Sequence, residues 1–361
     1  MTQGRSKLGY VPELDGLRGA AILAVMGFHS GLLNGGFIGV DIFFVLSGFL
    51  ITTLLIQEFD GSGSICLRYF YVRRVLRLGP ALIALLIVFC LASSALLNKE
   101  KAYSNYVEAI ISFFYISNFA QEFSIYHFEF LGPTWSLSIE EQFYIVWPIM
   151  LWILLRVSKN IYHVAVISVS IALLSWSSRI YLSMNEALPV RLYYGFDTRV
   201  CALMIGSTLG IVLPAGFLTD NTKIIFNKIL TVVPPLSMAC LLFYSTVGDF
   251  MDPRMYYFGL FVVDLMTAAL ILDILVNPRS IVRRLLAMRS LVWVGSISYG
   301  LYLWHQPIYR TMGDLGFNDL TSIAVGTLIS FLVAALSYYV LETPILKRKK
   351  RFGRTAANDS R

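Results

Sequence analysis

An all-α polytopic membrane protein of about ten transmembrane helices is the fold class that this sequence predicts, and three observations carry the prediction. The 361-residue chain is 57% hydrophobic and only 14% charged, whereas soluble globular domains carry about 25% charged residues. Apolar stretches of roughly 20 residues, each long enough to cross about 30 Å of hydrocarbon, recur from end to end. The basic residues then fall mostly on one side of the path that those stretches impose. A mean hydropathy of +0.69 agrees with lipid as the main solvent.

Hydropathy and turn signals place the spans at 15–33, 37–56, 75–97, 137–156, 161–183, 196–213, 229–247, 255–276, 291–311 and 320–342. In lipid the backbone must satisfy its own hydrogen bonds, so each span is expected to be a helix. The first is not expected to be a removable signal peptide. Arg18 stands at its start, no small-residue cleavage site follows, and the second span begins almost at once. The stretch 103–120 is apolar, but it is short and interrupted by Asn105, Glu108 and Asn118. A crossing there would invert everything downstream, so a re-entrant or interfacial helix is expected.

With both termini in the cytoplasm, 22 of the 29 Lys and Arg residues fall inside, which is the bias that the positive-inside rule asks for. The net charge of +7 then reports topology and contact with membrane lipid, and nucleic acid is not an expected partner. Residues 1–346 read as one membrane domain and 347–361 as a basic cytoplasmic tail too short to bury a core. Cys66, Cys90, Cys201 and Cys240 show no metal-ligand spacing and read as small buried hydrophobes; no metal is expected.

Ionisable side chains are costly in hydrocarbon, so each is a functional-site hypothesis that needs a partner. Residues 14–51 carry Arg18, His29 and Asp41 across two spans. Histidine is the sharpest case, because its proton affinity lies near neutral pH and it can serve as a base. Asp41 enters the second span close enough to His29, across the short turn, to orient its imidazole. The inner loop RYFYVRRVLRLGP offers Arg73, Arg74 and Arg77 as a clamp for a phosphorylated ligand; the alternative is an ordinary basic loop on lipid headgroups.

The fourth span opens GPTWSLSIEEQFY, with Glu140 and Glu141 beside Trp135 and Tyr144. Glu141 reads as a helix-start carboxylate favoured by the dipole. Glu140 either shares that role or looks into a polar cavity, on one face with Tyr144. Asp197 and Arg199 stand two apart at the outer end of the sixth span, a spacing that forbids a salt bridge within one helix. One or both should look inward to another span or a ligand. His305 lies in an aromatic-rich segment before Pro307, either as a satisfied structural residue or lining the site.

LDGLRG, FH, GGFIGVDIFFVLSGFLI, RRVLRLGP, TWSLSIEEQFY, FDTR, SYGLYLWHQP and YYVLETP follow in that order. On these motifs, which run from about residue 10 to residue 345, the chain resembles the acyltransferase 3 family of integral membrane O-acyltransferases. The resemblance implies ten spans in a bacterial inner membrane, and transfer of an acyl group, commonly acetyl from acetyl-CoA, to a hydroxyl. The acceptor would be a surface or exported glycan, a lipid-linked sugar or a small molecule. Some members carry an extra hydrolase-like domain, and this sequence resembles the stand-alone members.

Carried over, His29 matches the family's catalytic histidine and Arg18 the arginine of its LDGLRG motif. Arg73, Arg74 and Arg77 match the arginine motif thought to contact the coenzyme, and Glu140 the carboxylate of SLSIEEQFY. The expected mechanism has His29 as general base on an acceptor hydroxyl. Arg18, or another inward cation or polar donor, would stabilise the oxyanion. An acyl-histidine relay is a rival route. A transporter or flippase is the alternative function, since inward charges on ten spans also suit transport.

Overall fold

The structure, a computed structural model, describes residues 8–158, 160–185, 187–213, 220–316 and 320–347, without the side chains of 220–231 and 322. The expected tail from 348 onward lies outside the described residues. The helices are α1 (Pro12–His29), α2 (Gly39–Ser62), α3 (Leu67–Leu96), α4 (Lys99–Phe113), α5 (Ser117–Glu122), α6 (Thr134–Val157), α7 (Ile161–Met184) and α8 (Pro189–Tyr194). Then follow α9 (Phe196–Val212), α10 (Asp220–Val247), α11 (Leu260–Val276), α12 (Ile281–Leu286), α13 (Arg289–Ser296), α14 (Ser298–Asp314) and α15 (Leu320–Leu336). A tight turn, Gly36–Ile38, leads into α2, and π-helical turns at Met255–Gly259 and Ser337–Glu342 extend α11 and α15. No strand occurs among the described residues.

This is a multi-pass membrane protein. Among the described residues seven helical stretches are long and apolar enough to cross a bilayer: Gly36–Ser62, Leu67–Leu96, Thr134–Val157, Ile161–Met184, Pro189–Val212, Met255–Val276 and Ile323–Lys347. Three expected spans differ from these. The first carries Glu13, Asp15 and Arg18 in its opening turns. The seventh is a shorter apolar helix over Val232–Val247. The ninth is broken at Ile297 into α13 and α14. All four cysteines are free.

The chain divides into two compact units, one of residues 1–65 and 139–296, the other of 66–138 and 297–361. In the first, α2 packs on α9 along a seam of glycines. A methyl group at Gly48 would collide with the Leu203 carbonyl oxygen, and one at Gly206 with that of Val45. Without a hydrophobic drive between helices in lipid, such close approach supplies the attraction through dispersion. The α9 helix turns its other side to α7, where Ser175 Oγ donates to the Asp197 carbonyl at 2.6 Å and Thr208 Oγ1 to Ser168 Oγ at 2.8 Å. The start of α1 is gripped in the same way, because Gly16 and Gly19 lie against the Leu286 and Leu291 carbonyls and Gly295 against that of Asp15. Hydropathy reads apolar length and is blind to a backbone approach.

Helix directions follow from the order of paired residues. Ser47 meets Glu140, Thr52 meets Trp147 and Ser64 meets Trp152, so α2 and α6 run parallel. Parallel helices need one net reversal between them, and α3 supplies it. The segment 99–122 therefore does not cross, in line with the expected interfacial helix.

In the second unit that segment folds back on α3. Asn98 caps α4 by accepting from the Lys101 N–H at 2.9 Å, and Asn105 donates to Ser93 Oγ at 2.9 Å. The chain breaks after Phe113 at Tyr115, whose φ is +54°. Buried Glu108 accepts the backbone N–H groups of Glu129, Phe130 and Leu131 at 2.7, 3.2 and 2.8 Å, which fastens the following loop onto α4. Burial pushes its carboxyl above the usual range, while the three N–H donors pull it down.

Single cysteines placed at Lys101 and at Ser124, in a background lacking the four native ones, should label with an impermeant maleimide from the same side of the membrane. A cysteine at Gly63 should label from the opposite side. Labelling of positions 101 and 124 from opposite sides would contradict the parallel course of α2 and α6.

Candidate functional site

The first unit carries five of the expected site residues on α1, α2 and α6, and two more on α9. The α1 helix is unbroken from Pro12 to His29. At 1.5 Å per residue, the eleven positions between Arg18 and His29 span about 16 Å, close to three full turns. The two side chains thus leave one face of a straight helix at different heights. Arg18 pairs with Asp15 one turn earlier, Nη1 to Oδ1 at 3.2 Å. Half-buried His29 closes the helix, its ring edge-on to Phe28 at a centroid distance of 5.3 Å.

The turn after His29 is fixed by its own backbone. Gly31 takes φ +75°, where a glycine is at ease, and Leu33 N–H returns to the Gly27 carbonyl at 2.9 Å. Gly35 N–H donates to the Ser245 carbonyl at 3.1 Å, which ties the turn to the end of α10. The α2 helix therefore starts in a set position.

Asp41, in the first turn of α2, does not orient His29. Its Oδ2 accepts from Arg199 Nη2 at 2.9 Å, with both side chains withdrawn from solvent, and its Oδ1 has no hydrogen-bond partner among the described residues. A guanidinium in a dry site offers a carboxylate far more than a half-buried imidazole does, so the ion pair wins. Arg199 is stacked 4.7 Å from the centroid of Tyr193 and 5.6 Å from that of Phe44. This pairing meets the expectation that Arg199 looks to another span. Asp197 does not share it: half-exposed, it takes both ends of Arg191 at 2.9 and 2.8 Å.

Two further charges belong to this core. Arg179 of α7 donates Nε to the Tyr256 carbonyl at 3.0 Å and Nη1 to the Thr198 carbonyl at 3.3 Å, just before Arg199. The π-helical turn at 255–259 is what presents that carbonyl, and Trp176 one turn earlier takes its neighbour, the Tyr257 carbonyl, at 2.7 Å. Fully buried Asp264 of α11 lies within electrostatic reach of Asp41, Arg179 and Arg199, and neither of its oxygens has a hydrogen-bond partner among the described residues. Two arginines and two aspartates thus meet inside one helix bundle. Neither Arg179 nor Asp264 was singled out from the sequence, although both are ionisable groups within apolar spans and the same rule points to them.

On α6, Glu140 Oε1 accepts from Ser47 Oγ at 2.5 Å, and Trp147 Nε1 donates to Thr52 Oγ1 at 2.8 Å. The helix begins at Thr134, so Glu140 and Glu141 sit two turns inside it. A dipole effect fades within the first turn, so the helix-start reading fails for Glu141, and Glu140 turns to Ser47 of α2. Buried Tyr144 follows Glu140 one turn later.

The second unit holds the arginine cluster. Arg73, Arg74 and Arg77 are not in a loop: α3 starts at Leu67 and carries them, with Arg73 and Arg77 one turn apart on one face. Arg74 lies 5.9 Å from the Phe70 ring centroid, and Arg77 is within electrostatic reach of Glu342. Trp135 is buried at the start of α6, where Tyr302 meets Ser136 at 2.5 Å and donates to the Pro133 carbonyl at 2.9 Å. His305 is fully buried, and its Nδ1–H donates to the Leu301 carbonyl at 2.8 Å. Tyr302 and Tyr309 flank its ring at 5.9 and 6.0 Å. Among the described residues no group of three His, Cys, Asp or Glu side chains is placed to hold a metal ion.

Comparisons with known proteins add a lineage to this geometry. A family model described as an acyltransferase domain matches residues 11–342. The peptidoglycan O-acetyltransferase OatA of Listeria monocytogenes is 34% identical over 352 residues, covering 94% of this chain and 56% of that protein. A Bacillus subtilis protein provisionally named a peptidoglycan O-acetyltransferase, YrhL, is 36% identical over 93% of this chain and 55% of its own length. A Staphylococcus aureus protein provisionally named an O-acetyltransferase is 32% identical over 94% and 58%. The chain thus spans between half and three-fifths of the length of these relatives. No solved structure matches it.

Removing one member of a buried ion pair leaves an uncompensated charge, which costs about 3–5 kcal/mol. Asp41→Asn should therefore lower the thermal unfolding midpoint in detergent more than the double variant Asp41→Asn/Arg199→Gln does. Equal or additive losses would show that the two side chains do not depend on each other.

Proposed function

The chain belongs to the acyltransferase family that matches it, and on that premise we propose that it is a membrane O-acyltransferase which moves an acetyl group from acyl-CoA to a hydroxyl of peptidoglycan. The names of its relatives support both the acetyl group and the acceptor. A bacterial inner membrane with both termini in the cytoplasm is part of the same reading, as is one membrane domain over 1–346. It rests on the bias of Lys and Arg across the spans.

One observation carries the assignment of roles. Because α1 is unbroken, Arg18 and His29 are held about 16 Å apart on one face and cannot both act on a single carbonyl. The tasks therefore divide along the helix. His29, half-buried at its end, serves as general base for the acceptor hydroxyl, a poor nucleophile near neutral pH until its proton is taken. The oxygen attacks the thioester carbonyl, the coenzyme leaves as thiolate, and the proton held by the imidazole is returned to sulfur. Arg18 works at the opposite, donor end.

Arg73, Arg74 and Arg77 suit the phosphates of the coenzyme, since arginine forks bind phosphate bidentately. Asp41 and Arg199 are positioning residues: each is committed to the other, and together they fix the start of α2 next to the turn that follows His29. Glu140, held by Ser47, and Tyr144 give α6 a polar face for the acceptor. Trp135 and His305, both buried within the second unit, are assigned to shaping acceptor binding. Asp197, paired with Arg191 at the surface, is assigned to a sugar of the acceptor.

Proteoliposomes given acetyl-CoA, with and without soluble peptidoglycan fragments, test this reading through thioester loss and ester gain. Acceptor-dependent thioester loss is expected, and His29→Ala should reduce it by at least a hundredfold, the scale of a general base. Full transfer by purified His29→Ala would remove the base assignment. Movement of the glycan without thioester loss would show a transporter instead. Arg73→Ala/Arg77→Ala should raise KM for the coenzyme while leaving KM for the acceptor unchanged.

A further inference from the structure

Between α11 and α14 the chain lies along one edge of the first unit as α12 and α13. The stretch 277–297 reads NPRSIVRRLLAMRSLVWVGSI and contains four arginines and no acidic residue. On α12 the buried side chains are Val282 and Leu286, one turn apart, and Leu286 presents its carbonyl to Gly16 of α1. The opposite side is open. Ile281 is 65% exposed, Leu285 48% and Met288 49%, and Arg284 falls among them at the i+3 position from Ile281. Arg279 and Arg289 flank the stripe and are exposed as well.

Large apolar side chains interleaved with arginine on the open face of a short helix match neither water nor pure hydrocarbon. They match the boundary between headgroups and acyl chains, where the apolar groups dip in and the cations meet phosphate. A free phosphate compound would use the arginines and leave Ile281, Leu285 and Met288 in water. The remaining cation, Arg283, is already occupied, donating Nε to Glu13 Oε1 of α1 at 2.8 Å.

We propose that the exposed face of α12, with Arg279, Arg284 and Arg289, is a docking surface for anionic phospholipid headgroups that sets the position of α1. The linkage is steric. Gly16 and Gly19 lie against the Leu286 and Leu291 carbonyls with no room for a methyl group, and the Glu13–Arg283 pair fastens the same end. A shift of α12 or α13 at the headgroup level is thus passed to the first turns of α1, which carry Arg18. This effect on transfer rests on the role of Arg18 proposed above; the lipid surface itself does not.

Purified, delipidated protein titrated with phosphatidylglycerol or phosphatidylcholine and read by native mass spectrometry tests the surface. Each basic residue near an anionic surface multiplies binding about fivefold, so Arg279→Gln/Arg284→Gln/Arg289→Gln should weaken phosphatidylglycerol retention on the order of a hundredfold. Phosphatidylcholine retention should not change. The corresponding triple lysine variant keeps the charge and should retain phosphatidylglycerol to within a few-fold of wild type, which separates charge from misfolding. Equal retention by the glutamine variant overturns the surface, and so does displacement of the lipid by coenzyme A.

Nanodiscs then test the coupling. Added phosphatidylglycerol should speed acyl transfer by the wild type and leave the glutamine variant unchanged. Lipid retention without any effect on transfer would overturn the link to α1. Absence of transfer in every lipid, with retention intact, would fall on the proposed function and not on the surface.

Discussion

One fully buried ion pair, Asp41 with Arg199, sets the terms for the first unit. A charge taken out of water costs several kcal/mol unless a partner meets it with good geometry. The pair joins the start of α2 to the start of α9; Arg179 of α7 donates to the Thr198 carbonyl just before Arg199, and Asp264 of α11 lies within electrostatic reach of all three. Four helices are thereby bound to one point. The backbone seams lie where such a point needs them, since a 2.9 Å contact between side chains of two helices must coexist with helix axes close enough to exclude lipid. Gly48, Gly206 and Gly210 make that approach possible.

The commitment of Asp41 to Arg199 also shapes the candidate site by subtraction. An aspartate near a histidine invites a hydrogen-bonded dyad, yet here one oxygen serves an arginine and the other has no hydrogen-bond partner among the described residues. What positions His29 is the end of α1, the φ +75° glycine two residues on, and the return of the turn to the Gly27 carbonyl. The aspartate acts one step removed, by fixing the helix into which that turn runs. Substitution at Asp41 therefore strikes the frame before it strikes the chemistry.

Much of this was legible in the sequence, in a particular way. Rules about hydrocarbon pointed to Arg18, His29, Asp41, Glu140 and Arg199, because a charge in an apolar span is conspicuous wherever it sits. Partners were not legible, since Asp41 and Arg199 are 158 positions apart and no local pattern says which spans are neighbours. Small boundary errors changed chemistry as well as length. With α6 beginning at Thr134, Glu141 moved from a dipole-favoured end to the second turn, and with α3 beginning at Leu67 a basic loop became a helix face. The division of α13 from α14 left no trace in hydropathy, which reads apolar length and not where a helix stops.

A straight helix acts as a ruler between donor and acceptor. The α1 helix sets the backbone positions of Arg18 and His29 about 16 Å apart along its axis. On the proposed division of tasks, an acyl group offered near Arg18 and used near His29 must cover that height itself, carried on a long flexible arm or passed through a relay. Such an arm is what a thioester-linked coenzyme possesses, with its charged phosphates at one end and the reactive carbonyl at the other. A compact donor carrying charge and carbonyl together would favour both groups on adjacent turns, whereas Arg18 and His29 stand about three turns apart on α1.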